Sequence, residues 1–67
     1  MTGVHFNAMR VGKKYFLVNY GERFEFEVTQ RLSEDDFVVK DINTLETYKL
    51  SEFTAYGKGE DFEVREL

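Results

Sequence analysis

Between Glu22 and Leu32 the chain reads ERFEFEVTQRL, with Phe24, Phe26 and Val28 on one parity and Arg23, Glu25, Glu27, Thr29 and Arg31 on the other. Successive side chains of a strand point to opposite faces, so this period of two predicts a half-buried antiparallel strand with one dry face. Every other apolar run in the chain is short and must pack on the Phe24/Phe26/Val28 stripe.

Upstream, Lys13 to Tyr20 (KKYFLVNY) is rich in aromatic and β-branched residues and ends at Gly21. It reads as the first strand of a hairpin with residues 22–32. Both of its parities are apolar, so the pattern alone does not choose an inner face, and the register has to come from the turn. A two-residue turn would put Tyr20 at positive φ, whereas a three-residue loop of Asn19, Tyr20 and Gly21 leaves only the glycine there. The longer loop is therefore the expectation. It sets Val18 opposite Glu22 and Phe16 opposite Phe24, turns Phe16 and Val18 inward, and leaves Tyr15 and Leu17 outside beside Arg23 and Glu25.

Downstream, Ser33 to Asp36 (SEDD) is a polar turn. Its consecutive acids lack the alternating ligands, glycine and distal glutamate of a calcium loop, so it reads as a solvated tip. Phe37 to Ile42 is a third strand, apolar at both parities, and Asn43 and Thr44 turn the chain into a fourth, Glu46 to Leu50, with Tyr48 and Leu50 on one face. Ser51 to Tyr56 breaks the alternation, with Ser51 as a helix-start signal and Gly57 available to end a single turn. Phe53 on that turn would plug the end of the barrel. Gly57-Lys58-Gly59 lacks the spacing of a phosphate loop and is a turn. Asp61 to Leu67 resumes strict alternation, with Phe62 and Val64 in and Glu63 and Arg65 out. Residues 1–12 have no sustained period and read as an N-terminal arm that is frayed or laid across the 13–67 domain, with Val4 or Phe6 as residues that could cover Tyr15 and Leu17.

Five short strands, the longest hairpin first and one helical turn before the last strand, resemble the SH3-like small β-barrel shared by Tudor, KOW and related modules. The resemblance is one of element order over residues 13–66. It is carried by the 22–32 stripe, by Tyr48 and Leu50 leading into Ser51-Glu52-Phe53, and by Phe62 and Val64. The segment Tyr56 to Phe62 resembles the end of small bacterial domains of this shape. The resemblance implies an all-β fold, closed so that strand edges do not recruit other chains. It also implies a Tudor-type aromatic cage drawn from Tyr15, Tyr20 and Tyr56.

Composition narrows the function. At 67 residues the chain has no cysteine and one histidine, His5, so it cannot use disulfides or a usual zinc site to support a small core. Seven Phe and four Tyr must do that by packing. One His, no Cys and no phosphate loop leave no catalytic set, so neither an enzyme nor a cofactor is expected, and His5 reads as an arm residue. The net charge of −4 and the scatter of basic residues argue against nucleic acid as a partner. No apolar run is long enough to span a membrane and residues 1–12 lack an apolar signal region, so the expected setting is cytoplasmic. The reading that results is a noncatalytic module binding another protein or peptide, with Tyr15, Leu17, Tyr20 and Tyr56 as candidate contacts. The alternative is single-stranded nucleic acid, bound through Arg10, Lys13, Lys14 and Lys58 with nearby tyrosines.

Overall fold

The computed structural model describes residues 8–67. The chain forms five antiparallel strands, β1 (Lys14–Asn19), β2 (Glu22–Arg31), β3 (Phe37–Asp41), β4 (Thr47–Lys49) and β5 (Glu63–Glu66), with a 3₁₀ turn over Leu50–Thr54. They make one open sheet in the order β4-β3-β2-β1-β5, with β4 and β5 at its edges. The long strand β2 holds the sheet together: its first half pairs with β1 and its second half with β3. The ladder slips between Val28 and Gln30, leaving Thr29 as an extra residue whose hydroxyl donates to the Val38 carbonyl at 3.1 Å. Such a bulge bends the strand and increases its twist.

The dry stripe lies where the alternation places it. Phe26 and Val28 are buried and Phe24 packs half-buried against the core, as does Phe62 beside buried Val64. Phe37, Val39 and Leu50 fill the same core, and Phe53 stacks on Phe24 with ring centroids 4.4 Å apart. The 3₁₀ turn begins one residue before the expected start. Ser51 does not open it; the Glu52 carboxylate accepts the Lys49 N–H at 2.9 Å, while Ser51 donates through its N–H and hydroxyl to Asp36 at 3.0 and 3.1 Å. Asp36 therefore ties the acidic 33–36 loop to the 3₁₀ turn. The turn also ends earlier than expected, at Thr54 with Ala55 as a right-handed cap, and Gly57, at φ 98°, follows two residues later with its N–H donating to the Thr54 carbonyl at 3.0 Å.

The first hairpin corrects the sequence reading. Its turn has two residues, Tyr20 and Gly21, at φ 51° and 77°, so Asn19 faces Glu22 and Leu17 faces Phe24. A one-residue change of register reverses every side chain. Tyr15 and Leu17 accordingly lie in the core, at 2% and 0% exposure, while Phe16 and Val18 are half-buried on the outer face. There the Arg23 guanidinium covers the Phe16 ring at 3.9 Å. The buried Tyr15 hydroxyl is satisfied by accepting the Arg10 N–H at 2.9 Å. Val4, His5 and Phe6 lie outside the described residues. Within them, Met9 is buried in the core, and Gly12 and Lys13 exchange backbone hydrogen bonds with Val28 at 2.8 and 3.0 Å.

Two local features carry predictions. Leu45, at φ 66° and 64% exposed, holds a left-handed position with a branched apolar side chain, while the Asp41 carboxylate accepts the Asn43 and Thr44 N–H groups beside it. The left-handed region costs a non-glycine residue about 1 kcal/mol, so Leu45→Gly is expected to stabilise the domain by about 0.5–1 kcal/mol in urea unfolding. A loss of stability would mean that the Leu45 side chain makes a contact worth more than its strain.

The second feature is Tyr48, whose phenol donates to Glu46 at 2.6 Å; that hydrogen bond, followed by desolvation and the nearby acids, raises its pKa above the ordinary value of 10.0. Raising the folded-state pKa favours the protonated phenol, so the contribution of this bond is present below the unfolded value and is lost as pH climbs through the folded one. In an absorbance titration, the ionising band removed by Tyr48→Phe should have its midpoint above that of a tyrosine model peptide, and Glu46→Gln should move it back down. A midpoint at the peptide value would show that the bond does not persist in solution.

Candidate functional site

The two-residue turn is held from a distance. Asp61, 41 residues on, accepts the Tyr20 N–H at 2.9 Å and the Gly21 N–H at 2.7 Å through its two carboxylate oxygens. The Tyr20 hydroxyl donates to the Tyr56 carbonyl at 3.3 Å, and its ring lies against Gly59, where an added Cβ would stand 3.0 Å from the ring. Asn19, 6% exposed, completes the fastening. Its amide donates to the Phe53 and Gly57 carbonyls at 3.3 and 3.1 Å, and its oxygen accepts the Gly59 N–H at 2.7 Å. A carboxylate and a carboxamide thus bind residues 53–61 to the tip of the hairpin.

An open pocket of about 250 Å³ lies between the parts so joined. Leu17, Asn19 and Phe24 supply its sheet side, and Phe53 its wall on the 3₁₀ turn. Tyr20, 60% exposed, and Tyr56, 96% exposed, line it from the hairpin turn and from the segment after the 3₁₀ turn. Glu22 and Glu52 add two carboxylates, and among the described residues no basic side chain lines the pocket. Apolar walls with a few placed polar groups are what a binding pocket requires.

Of the four residues predicted as contacts, the structure brings Tyr20 and Tyr56 together at this pocket. Tyr15 is a core residue whose ring is tilted against that of Phe26, with centroids 6.1 Å apart, and Leu17 reaches the pocket only as its buried floor. The three-tyrosine cage is therefore not built, because Tyr15 points into the core. Sequence reasoning missed Asn19, Glu22, Phe24, Glu52 and Phe53 as pocket residues and Asp61 as the support of the turn. A polar Asn19 at the end of an otherwise apolar strand was the one available signal. Among the described residues no group of three or more His, Cys, Asp or Glu side chains is placed to hold a metal, and no helix is long and apolar enough to cross a membrane. Comparison with known protein families, curated proteins and solved structures finds no match to this chain.

Proposed function

We propose that this domain is a noncatalytic interaction module that binds a segment of another protein in the pocket between the β1–β2 turn and the 3₁₀ turn. The observation that carries this reading is the convergence of two exposed tyrosines, Tyr20 and Tyr56, on half-buried Phe24 and Phe53. Exposed rings grouped round a concavity are the kind of surface that anchors protein contacts. A cytoplasmic setting suits a chain without cysteine. The fold is read as an SH3-like small barrel, supported by the bulged β2 shared between β1 and β3 and by the 3₁₀ turn before β5. In this reading side-chain packing of Leu50 and Val64 in one core closes the barrel without pairing between β4 and β5.

A photo-crosslinking residue at Tyr56 should capture a defined partner, while the same residue at Arg65 on the outer sheet face should not. Tyr20→Ser should reduce the capture. Equal yields at both positions would refute the pocket as the contact site. Single-stranded RNA should produce no shift at physiological salt, because the net charge of −4 repels phosphate. Micromolar RNA binding that weakens steeply with salt would favour the nucleic-acid alternative instead.

A further inference from the structure

We infer that the outer face of β2, β1 and β5 pairs with the same face of a second copy of this chain, each β1 lying antiparallel over the other. This surface lies on the side of the sheet away from the pocket, and its role is independent of peptide binding there. Register fixes it as two rows of three residues: Glu25, Phe16 and Arg65 in one, Arg23, Val18 and Glu63 in the other. Half-buried Phe16 and Val18 form the apolar middle column. At the corners, Arg23 and Arg65 occupy one diagonal and Glu25 and Glu63 the other. These side chains are 51, 46, 32 and 34% exposed, respectively, so all four can reach a second copy.

A surface that meets its own copy about a two-fold axis must be complementary to itself, and this checkerboard is. A two-fold axis lying across the strands exchanges the rows. Arg23 then meets Glu25 of the second copy, Glu63 meets its Arg65, and Phe16 packs on its Val18. An axis along β1 would exchange the columns and also oppose unlike charges, but it would set Lys14, the next outward residue of β1, over Lys14 of the second copy. The antiparallel arrangement avoids that repulsion. Within one copy the charges pair along their strands, Arg23 with Glu25 at 3.1 Å and Arg65 with Glu63. Exposed pairs of this kind are weak, so exchanging them for pairs across the interface costs little. The Arg23 guanidinium already lies 3.9 Å from the Phe16 ring centre, and a cation–ring contact strengthens when water is excluded from it. Three strands at about 4.8 Å spacing give a face of roughly 300 Å², well under the roughly 800 Å² per partner of a standard complex. The pair is therefore weak, with Kd on the order of 0.1–1 mM. Pairing leaves both pockets open, because Leu17, Asn19 and Phe24 line the pocket from the inner parity, so a ligand with two binding segments would gain avidity. At the low micromolar concentrations of the crosslinking comparison the chain is a monomer, and replacing Arg65 removes one of the four charges, so that position remains a control.

The test is sedimentation equilibrium of the full chain from about 20 µM to about 1 mM, with amide chemical shifts followed over the same range. The average mass should rise from that of the monomer toward that of the dimer, and the shifts that move should be those of Phe16, Val18, Arg23, Glu63 and Arg65. Arg23→Glu sets a like charge against Glu25 twice in the symmetric pair and should weaken association about tenfold. Adding Glu25→Arg to it restores unlike charges across the antiparallel interface and should return the affinity to within about twofold of the parent. Adding Glu63→Arg instead gives the same net charge but opposes like charges at every corner, and association should be lost. Phe16→Thr, which alters no charge and keeps a β-branched residue in the strand, should also weaken association. Thermal melting of each variant shows whether its fold is intact. A parent chain that stays monomeric up to about 1 mM would overturn the inference, as would concentration-dependent shifts centred on Tyr20 and Tyr56. Rescue by Glu63→Arg in place of Glu25→Arg would overturn the antiparallel pairing.

Discussion

Phe26→Ala is expected to leave the domain unfolded, or close to it, at 25 °C. Phe26 is 1% exposed, and its ring centre lies 6.1 Å from that of Tyr15 and 6.4 Å from that of Phe53. It therefore joins the β1–β2 hairpin to the 3₁₀ turn across the core. Truncating a buried phenylalanine costs about 3–5 kcal/mol, and a domain of this length has a total stability of roughly 3–10 kcal/mol. No disulfide is available to hold the unfolded chain together. Phe24→Ala should cost less, because Phe24 is half-buried and packs at the margin of the core. Circular dichroism and urea unfolding would decide it. A Phe26→Ala protein with a cooperative melt within a few degrees of the parent would show that the core tolerates this cavity by collapsing around it.

The elements were legible because most strands bury one parity and expose the other. Glu22 to Arg31 and Glu63 to Glu66 follow that alternation to within a residue or two of their ends, and Leu50 and Phe53 reach the core from the broken alternation after β4. β1 was not legible in the same way. With both parities apolar, its inner face depended on whether tyrosine could occupy a left-handed turn position, and local preference says that glycine should take it. Tertiary contacts outweigh that preference: Asp61 satisfies both turn N–H groups, and Tyr20 gains a hydrogen bond and a seat on Gly59. No window around Tyr20 contains Asp61. The candidate site was half legible for the same reason. Tyr20 and Tyr56 are visible as aromatic residues at turns, but their meeting, and the arrival of Glu22 and Glu52 beside them, follow from the two-residue register and the fastening of residues 53–61.

Asn19→Ala should destabilise the domain by about 2–4 kcal/mol and loosen residues 53–61 before the sheet. Asn19 is the polar residue in a position that the register would otherwise give to an apolar side chain, and it is almost fully buried. Removing its carboxamide leaves the Phe53 and Gly57 carbonyls and the Gly59 N–H without the partners they have now. Each buried group left unsatisfied costs about 1–3 kcal/mol, but water can reach this open side of the molecule and recover part of that. The strand itself should persist, because the β1 backbone ladders with β2 and β5 do not involve the side chain. Hydrogen exchange separates the two effects: the Gly59 amide should lose protection in Asn19→Ala, while the Phe26 and Val28 amides in the centre of β2 slow exchange in proportion to the remaining global stability. Asp61→Ala provides the comparison, since it frees the Tyr20 and Gly21 N–H groups at the exposed turn and should cost less, about 1 kcal/mol. If Asn19→Ala left Gly59 protected, the carboxamide would be dispensable, and the pocket between hairpin and 3₁₀ turn would owe its shape to the packing of Phe24 on Phe53 alone.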